Sequence, residues 1–394
     1  MSNKFSKKKL LDISSCIKAV LDVDKTSNNK IITVIDKFLL LKNDVYENVL
    51  LTNLYGLINK AELLKNDDIK VIFKENRVIS YKSNSIKFIH SQIGKGAYGK
   101  VNSCIFNDVI CAVKCPKYDV MKELNEYYDD YYNEYIDNIN FNFLKENIVH
   151  LLLFCFFELM SKCTKIKMPR FIPRIHNLVI ATSPHKFNGY METLIVVMEK
   201  FDMSISSFLE NSKISYKDEL SIIALVAYNV YFLQKCFKMI LHGDLHAENV
   251  MIKKLSEYNT HIIKTKTDNF EILCDYQIYF IDFGKCSINF SSNCTNIKMP
   301  KSKISAESYP TVNNKSYDLR LFLAYLYYMC DITKELKYNL KKYFIKYETN
   351  NTFKKYNQNG TPHHYFYDDV IENIDPNFFP EKVIKFVGNE INNF

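Results

Sequence analysis

Two stretches far apart in this chain carry residue types that could share one reaction. The first is Gly94-Lys-Gly96-Ala-Tyr-Gly99-Lys-Val101, preceded by Ile93 and followed by Ala112-Val-Lys114. The second is His242-Gly-Asp244-Leu-His246-Ala-Glu-Asn249, followed by Ile281-Asp282-Phe-Gly284. Glycines lack a Cβ and let backbone N–H groups approach phosphates closely. Lys114 adds a positive charge for the α- and β-phosphates. Asp244 is a base for an acceptor hydroxyl, and Asn249 and Asp282 are oxygen ligands for a divalent cation. The chemistry this implies is transfer of the γ-phosphate of ATP, with Mg2+ (or Mn2+).

The elements around these residues sharpen the reading. Alternation at 85–89, 101–105 and 109–114 places the glycines between two strands and Lys114 on a third. That context excludes the dinucleotide fingerprint, whose glycines open a helix, and the loop lacks the Gly-Lys-Ser/Thr ending of a Walker motif. A strand lysine in a nucleotide site needs an acidic partner. Glu158, a lone carboxylate on an apolar helical stretch, is the first choice, because a buried unpaired Glu is costly; Glu146 is the rival. Residues 192–199 form a strand that puts Met198 at the back of an adenine pocket, with backbone at Glu199 and Phe201 bonding the base. The same pattern also fits a plain buried strand. Asp318 opens an apolar helix at 317–328, where it either braces the catalytic loop or meets the helix dipole.

Composition bounds the rest. The chain has 394 residues, 47% apolar, enough for a sizeable core. Its 11 cysteines form no CxxC pair and no secretory signal precedes them, which points to a reduced, cytoplasmic setting. No apolar run reaches the roughly 18 residues of a membrane span. The net charge is +8, yet only Arg77, Arg170, Arg174 and Arg320 are arginine. Without an arginine-rich patch or an aromatic-basic motif, nucleic acid is not an expected partner. The lysine-rich start, Lys7-Lys-Lys9, leaves room for peripheral membrane contact. The dominance of Lys, Asn, Ile, Tyr and Phe suggests an A/T-rich genome such as that of a large DNA virus.

Along the chain, residues 1–68 show helical apolar spacing, 116–145 are acidic and tyrosine-rich, and 145–162 read as a helix. Strands are expected at 171–181, a long apolar helix at 218–236, and a polar insertion at 258–269 within a hairpin.

Taken together, the glycine loop, Lys114, Asp244, Asn249 and Asp282 resemble the protein kinase superfamily over roughly residues 70–330. The resemblance implies an α+β, bilobal protein-kinase-like fold: a helical N-terminal extension (1–68), an N-lobe built on an antiparallel sheet with one main helix (69–200), and a mostly helical C-lobe (201–394). The length, the extension, the HGDLHAEN loop and the biased composition resemble poxviral serine/threonine protein kinases, with an insect poxvirus as source. That implies protein substrates among virion membrane and core proteins, phosphorylated in the host cytoplasm during particle assembly.

Some positions depart from the family pattern. Gly243 replaces the arginine of the usual His-Arg-Asp, which implies activity without activation-loop phosphorylation. His246 stands where a lysine is expected, so an imidazole would donate to the γ-phosphate. No Ala-Pro-Glu closes the activation segment, and Glu307 is its nearest stand-in. Two rival functions remain. HGDLH also resembles small-molecule kinases of the aminoglycoside and choline kinase type, although the long, Ser/Thr-rich 285–315 favours a peptide acceptor. A pseudokinase scaffold would have no need of all four chemical residues.

Overall fold

Alternating β-branched and aromatic residues build strands β1 (Lys70–Lys74), β2 (Arg77–Ser80), β3 (Ile86–Lys95), β4 (Gly99–Phe106) and β5 (Val109–Pro116). They are joined later in the chain by β6 (Ile175–His185) and β7 (Gly189–Glu199). The computed structural model describes residues 70–74, 77–80, 86–95, 99–116, 146–147, 149–150, 153–154, 157, 170–185, 189–236, 239–289, 315–344 and 379–392. The expected extension at 1–68, the acidic segment at 117–145, Gly96, Glu158 and Glu307 lie outside the described residues.

The chain is α+β and divides into two compact units, one taking in Ile172–Lys200 and the described residues up to 157, the other containing Phe201–Ser292. The seven strands form the first unit's sheet, in the order β2-β1-β6-β7-β5-β4-β3. Every neighbouring pair is antiparallel except β1 and β6, which run parallel. A two-residue turn links β4 to β5, and both of its residues, Asn107 and Asp108, have positive φ, 47° and 63°. That is the geometry hairpin twist favours, and Asn and Asp tolerate it best after glycine. Cys104, Cys111, Ala112, Val113, Val196 and Val197 are buried in this sheet, as are Val149, Leu153, Phe154 and Phe157, which are helical residues.

The strand expected at 171–181 begins later. Pro173 lacks an N–H and restricts the residue before it, so a ladder cannot start there. Phe171 instead belongs to the second unit, where its carbonyl accepts from Phe280 N at 2.8 Å and its ring packs on Phe280 and Phe232.

In the second unit, β8 (Met203–Ser204) leads into α1 (Ile205–Asn211) and then α2 (Tyr216–Cys236). Ser204 Oγ caps α1 by accepting from Ser207 N at 3.2 Å. A reciprocal cap starts α2: Ser215 N donates to Asp218 Oδ2 and Asp218 N to Ser215 Oγ. Leu220, Ile222–Ala227, Val230 and Leu233 are all buried, so α2 is the unit's central helix rather than a one-faced surface helix. Strand β9 (Met239–Leu241) pairs with β12 (Ser287–Asn289), and β10 (Val250–Lys264) with β11 (Asn269–Phe280). Helices α3 (Tyr317–Met329), α4 (Lys334–Phe344) and α5 (Pro380–Ile391) complete it, each packing on α2.

The polar insertion at 258–269 lies within a hairpin, as expected. The ladder runs on through Ile263↔Phe270 to Lys264↔Asn269, and the turn is confined to 265–268. Ile263, Ile272 and Tyr276 bury one face, while Tyr258, Ile262 and Leu273 stay exposed on the other. No helix among the described residues is long and apolar enough to cross a membrane.

Candidate active site

The sheet unit holds one set of the expected residues. Gly94 faces Val101 across the β3–β4 ladder, and Val101 in turn pairs with Lys114 on β5. A Cβ built on Gly94 would sit 3.6 Å from Val101, an ordinary contact, so the glycine is not demanded by packing here. Ile93 is exposed and Val101 half-buried. Gly99 opens β4, and Ala112 is buried opposite Met198 of β7.

Lys114 is 8% exposed, and its ammonium is held by both oxygens of Glu146, at 2.9 and 2.7 Å. Of the two carboxylates the sequence offers, Glu146 bonds Lys114, while Glu158 lies outside the described residues. The segment between strand and helix is long, so sequence spacing could not set the helical register, and the carboxylate at 146 is the one turned to the lysine. A bidentate grip on a buried ammonium fixes its position in a way a snorkelling strand lysine would not have.

Glu199, also buried, receives a hydrogen bond from Arg174 N at its Oε2 (3.3 Å), and its own N–H donates to Arg174 O at 2.8 Å. Of the backbone groups expected to meet a base at Glu199, the N–H is therefore committed to Arg174, the residue before β6. Behind the helical residues, His150 is fully buried, with Nε2 donating to Pro173 O at 2.9 Å, and burial pushes its pKa down to about 4.

The second unit holds the other set. Asp318, buried at the start of α3, accepts from two consecutive backbone amides, His242 N at 2.8 Å and Gly243 N at 2.9 Å. Burial pushes its carboxyl pKa up, and the nearby His242 and these two N–H donors oppose that rise. Of the two roles open to Asp318, the structure supports the brace. His242 extends the brace by donating from Nε2 to Ile281 O at 2.8 Å, tying the loop to the residue before Asp282. Phe283 packs on the His242 ring at 5.2 Å between centroids. Phe201 packs at a tilt against Tyr279 in the same unit, at 4.6 Å between centroids.

The braced loop presents Asp244, half-buried, and Asn249, buried. Asn249 Nδ2 donates to Asp244 O at 2.9 Å, which identifies that atom as the amide nitrogen. The same nitrogen lies 3.0 Å from His246 Nε2, so the imidazole must accept there and carries its proton on Nδ1. His246 stacks on Tyr325 at 5.1 Å, and burial, the largest influence, lowers its pKa despite the nearby carboxylates. Its Nε2 is engaged with the Asn249 amide. Tyr325 is held in turn by donating to Glu248 Oε1 at 2.8 Å.

Asp282 adopts a left-handed conformation, φ 62° and ψ 68°, which Asp tolerates better than most residues other than glycine. Lys285 also enters the site: its Nζ lies 3.3 Å from Asp244 Oδ1. The sequence reading passed over it. The available signal was a basic residue directly after Asp282-Phe-Gly284 in a chain whose catalytic loop has no cation of its own.

No group of three or more His, Cys, Asp or Glu among the described residues could hold a metal by itself. With Asn249 Nδ2 donating to Asp244 O, the amide oxygen Oδ1 is the atom of this side chain with the chemistry to ligate a cation. No protein-family model matches the chain, and no curated protein matches it significantly.

Proposed function

We propose that the chain is an ATP-dependent protein kinase that transfers the γ-phosphate to serine or threonine hydroxyls, with the sheet unit as the N-lobe and the mostly helical unit as the C-lobe of a bilobal kinase fold. The observation that carries this reading is the grip of Asp318 on two successive amides of the loop bearing Asp244 and Asn249. A buried carboxylate spent on loop geometry makes sense where that loop must hold a base and a metal ligand in fixed register.

In this reading Lys114, fixed by Glu146, holds the α- and β-phosphates. The acceptor oxygen attacks the γ-phosphorus while Asp244 takes its proton. The bond from phosphorus to the β,γ-bridging oxygen breaks, and its electron pair leaves with ADP. Bound Mg2+, held by Asn249 and Asp282, would neutralise phosphate charge. Gly94 near the end of β3 and Gly99 at the start of β4 would let backbone N–H groups approach the phosphates. The sequence resemblance supports the setting: virion membrane and core proteins as substrates, in the host cytoplasm of a poxvirus infection.

The test is to incubate the protein with γ-labelled ATP and Mg2+ or Mn2+, offering generic proteins and a panel of small alcohols and amines. Label on protein serine or threonine supports the proposal. Label confined to small molecules would replace it with an aminoglycoside- or choline-kinase-like activity.

A further inference from the structure

We propose that Lys285 is a catalytic residue that donates to the transferring phosphoryl group, a role that rests on the phosphotransferase reading above.

The first argument is position. Lys285 Nζ sits 3.3 Å from the Asp244 carboxylate, and the two side chains are only 23% and 17% exposed. A surface ion pair gives little reason to withdraw a lysine from water. A cation set beside the base is, by contrast, where charge on the reacting phosphoryl group develops.

The second argument is that the backbone is arranged to deliver it. Lys285 ends a short 3-10 turn (Phe283–Lys285), closed by Cys286 N donating to Phe283 O at 3.0 Å. The Lys285 carbonyl lies where a side chain at position 243 would have to be: a Cβ there would fall 2.4 Å from that oxygen. Gly243, with φ +79°, therefore lets the Lys285 backbone close on the catalytic loop. The glycine that replaces an arginine and the lysine beside the base are two parts of one arrangement.

The third argument is that His246 cannot do this work. Its Nε2 accepts from Asn249, its Nδ1 is buried without a hydrogen-bond partner, and its ring is stacked on Tyr325. Lys285 is the cation the structure sets against Asp244.

An ammonium carries three N–H donors and can bond a carboxylate and a phosphoryl oxygen together. During transfer the acceptor O–P bond forms, the acceptor proton passes to Asp244, and the bridging P–O bond breaks with its electrons going to ADP. Lys285 changes no bond and keeps its proton. It offsets negative charge on the phosphoryl oxygens.

The experiment compares wild type, Lys285→Met and Lys285→Arg in steady-state transfer from ATP, with thermal unfolding alongside. For Lys285→Met the expected result is a kcat lower by about 100-fold, the scale of losing one donor to a transition state. The KM for ATP should stay within about threefold, as for a contact made chiefly in the transition state. The unfolding midpoint should hold, and Lys285→Arg should recover much of the rate. A kcat unchanged in Lys285→Met, or a loss appearing in KM alone, overturns the proposal. A lower unfolding midpoint whose recovery in Lys285→Arg brings no rate with it would also overturn it. If wild type transfers phosphate to no acceptor, the kinase reading fails and the role of Lys285 falls with it; an active wild type with an equally active Lys285→Met sinks the lysine alone.

Discussion

Glu146 grips the ammonium of Lys114 with both carboxylate oxygens, at 2.9 and 2.7 Å, in a setting where both side chains are nearly buried. Removing one member leaves the other charge buried without its counter-ion, which is costlier than losing a surface pair. Glu146→Gln is therefore expected to lower kcat/KM for ATP by about 10- to 100-fold, on the scale of losing an orienting outer partner. Steady-state kinetics at varied ATP checks it; a variant as active as wild type would remove Glu146 from the site.

Asp318 invites a decision by magnitude. If it served only the dipole of α3, Asp318→Asn would cost under about 1 kcal/mol. As the acceptor for His242 N and Gly243 N it should cost about 2–3 kcal/mol, because the amide offers one acceptor oxygen and turns an NH2 toward a backbone N–H. Urea unfolding distinguishes the two values, and phosphoryl transfer should fall with the loss of loop register.

Gly243→Ala meets two penalties at once, a positive φ and a Cβ 2.4 Å from the Lys285 carbonyl. The left-handed conformation alone costs a non-glycine residue about 1 kcal/mol or more, and the clash adds to it. The expected outcome is a lower unfolding midpoint together with reduced transfer. Unaltered stability would show that the 243–285 contact is not as close as described.

His150 makes the sheet unit acid-sensitive. Its folded pKa, about 4, lies below the unfolded value of 6.5, so the unfolded chain binds the extra proton first. Stability from this group is complete above pH 6.5 and is lost as pH falls toward 4; at pH 5 the loss is about 2 kcal/mol. In His150→Asn this titration is gone, so the stability difference between wild type and variant should shrink between pH 7 and pH 5. Denaturant curves at the two pH values measure it, and a constant difference would contradict the assignment.

Local chemistry made much of this readable in the sequence. Strand alternation located β4, β5 and Lys114, and the apolar run of α2 located the helix ahead of His242. What depended on register across a gap was not readable. Glu158 stood out as the lone acid in an apolar helical stretch, but which carboxylate reaches β5 is decided by tertiary packing, and Glu146 bonds Lys114. His246 had the right place in the loop for a phosphate donor; its tautomer and its stacking on Tyr325 are properties of three dimensions. Lys285 was hidden for a related reason: its pairing with Asp244 spans two motifs, and only the glycine at 243 hinted that another backbone must come close.

The most direct measurement is phosphoryl transfer from γ-labelled ATP by wild type and Asp244→Asn, with nucleotide binding followed in parallel. Wild type should label protein serine or threonine. Asp244→Asn should bind ATP about as well and lose transfer by about 1000-fold or more, as expected when a base acting with the other catalytic groups is removed. Transfer retained in Asp244→Asn, or a wild type that binds nucleotide and labels no acceptor, would contradict the central claim.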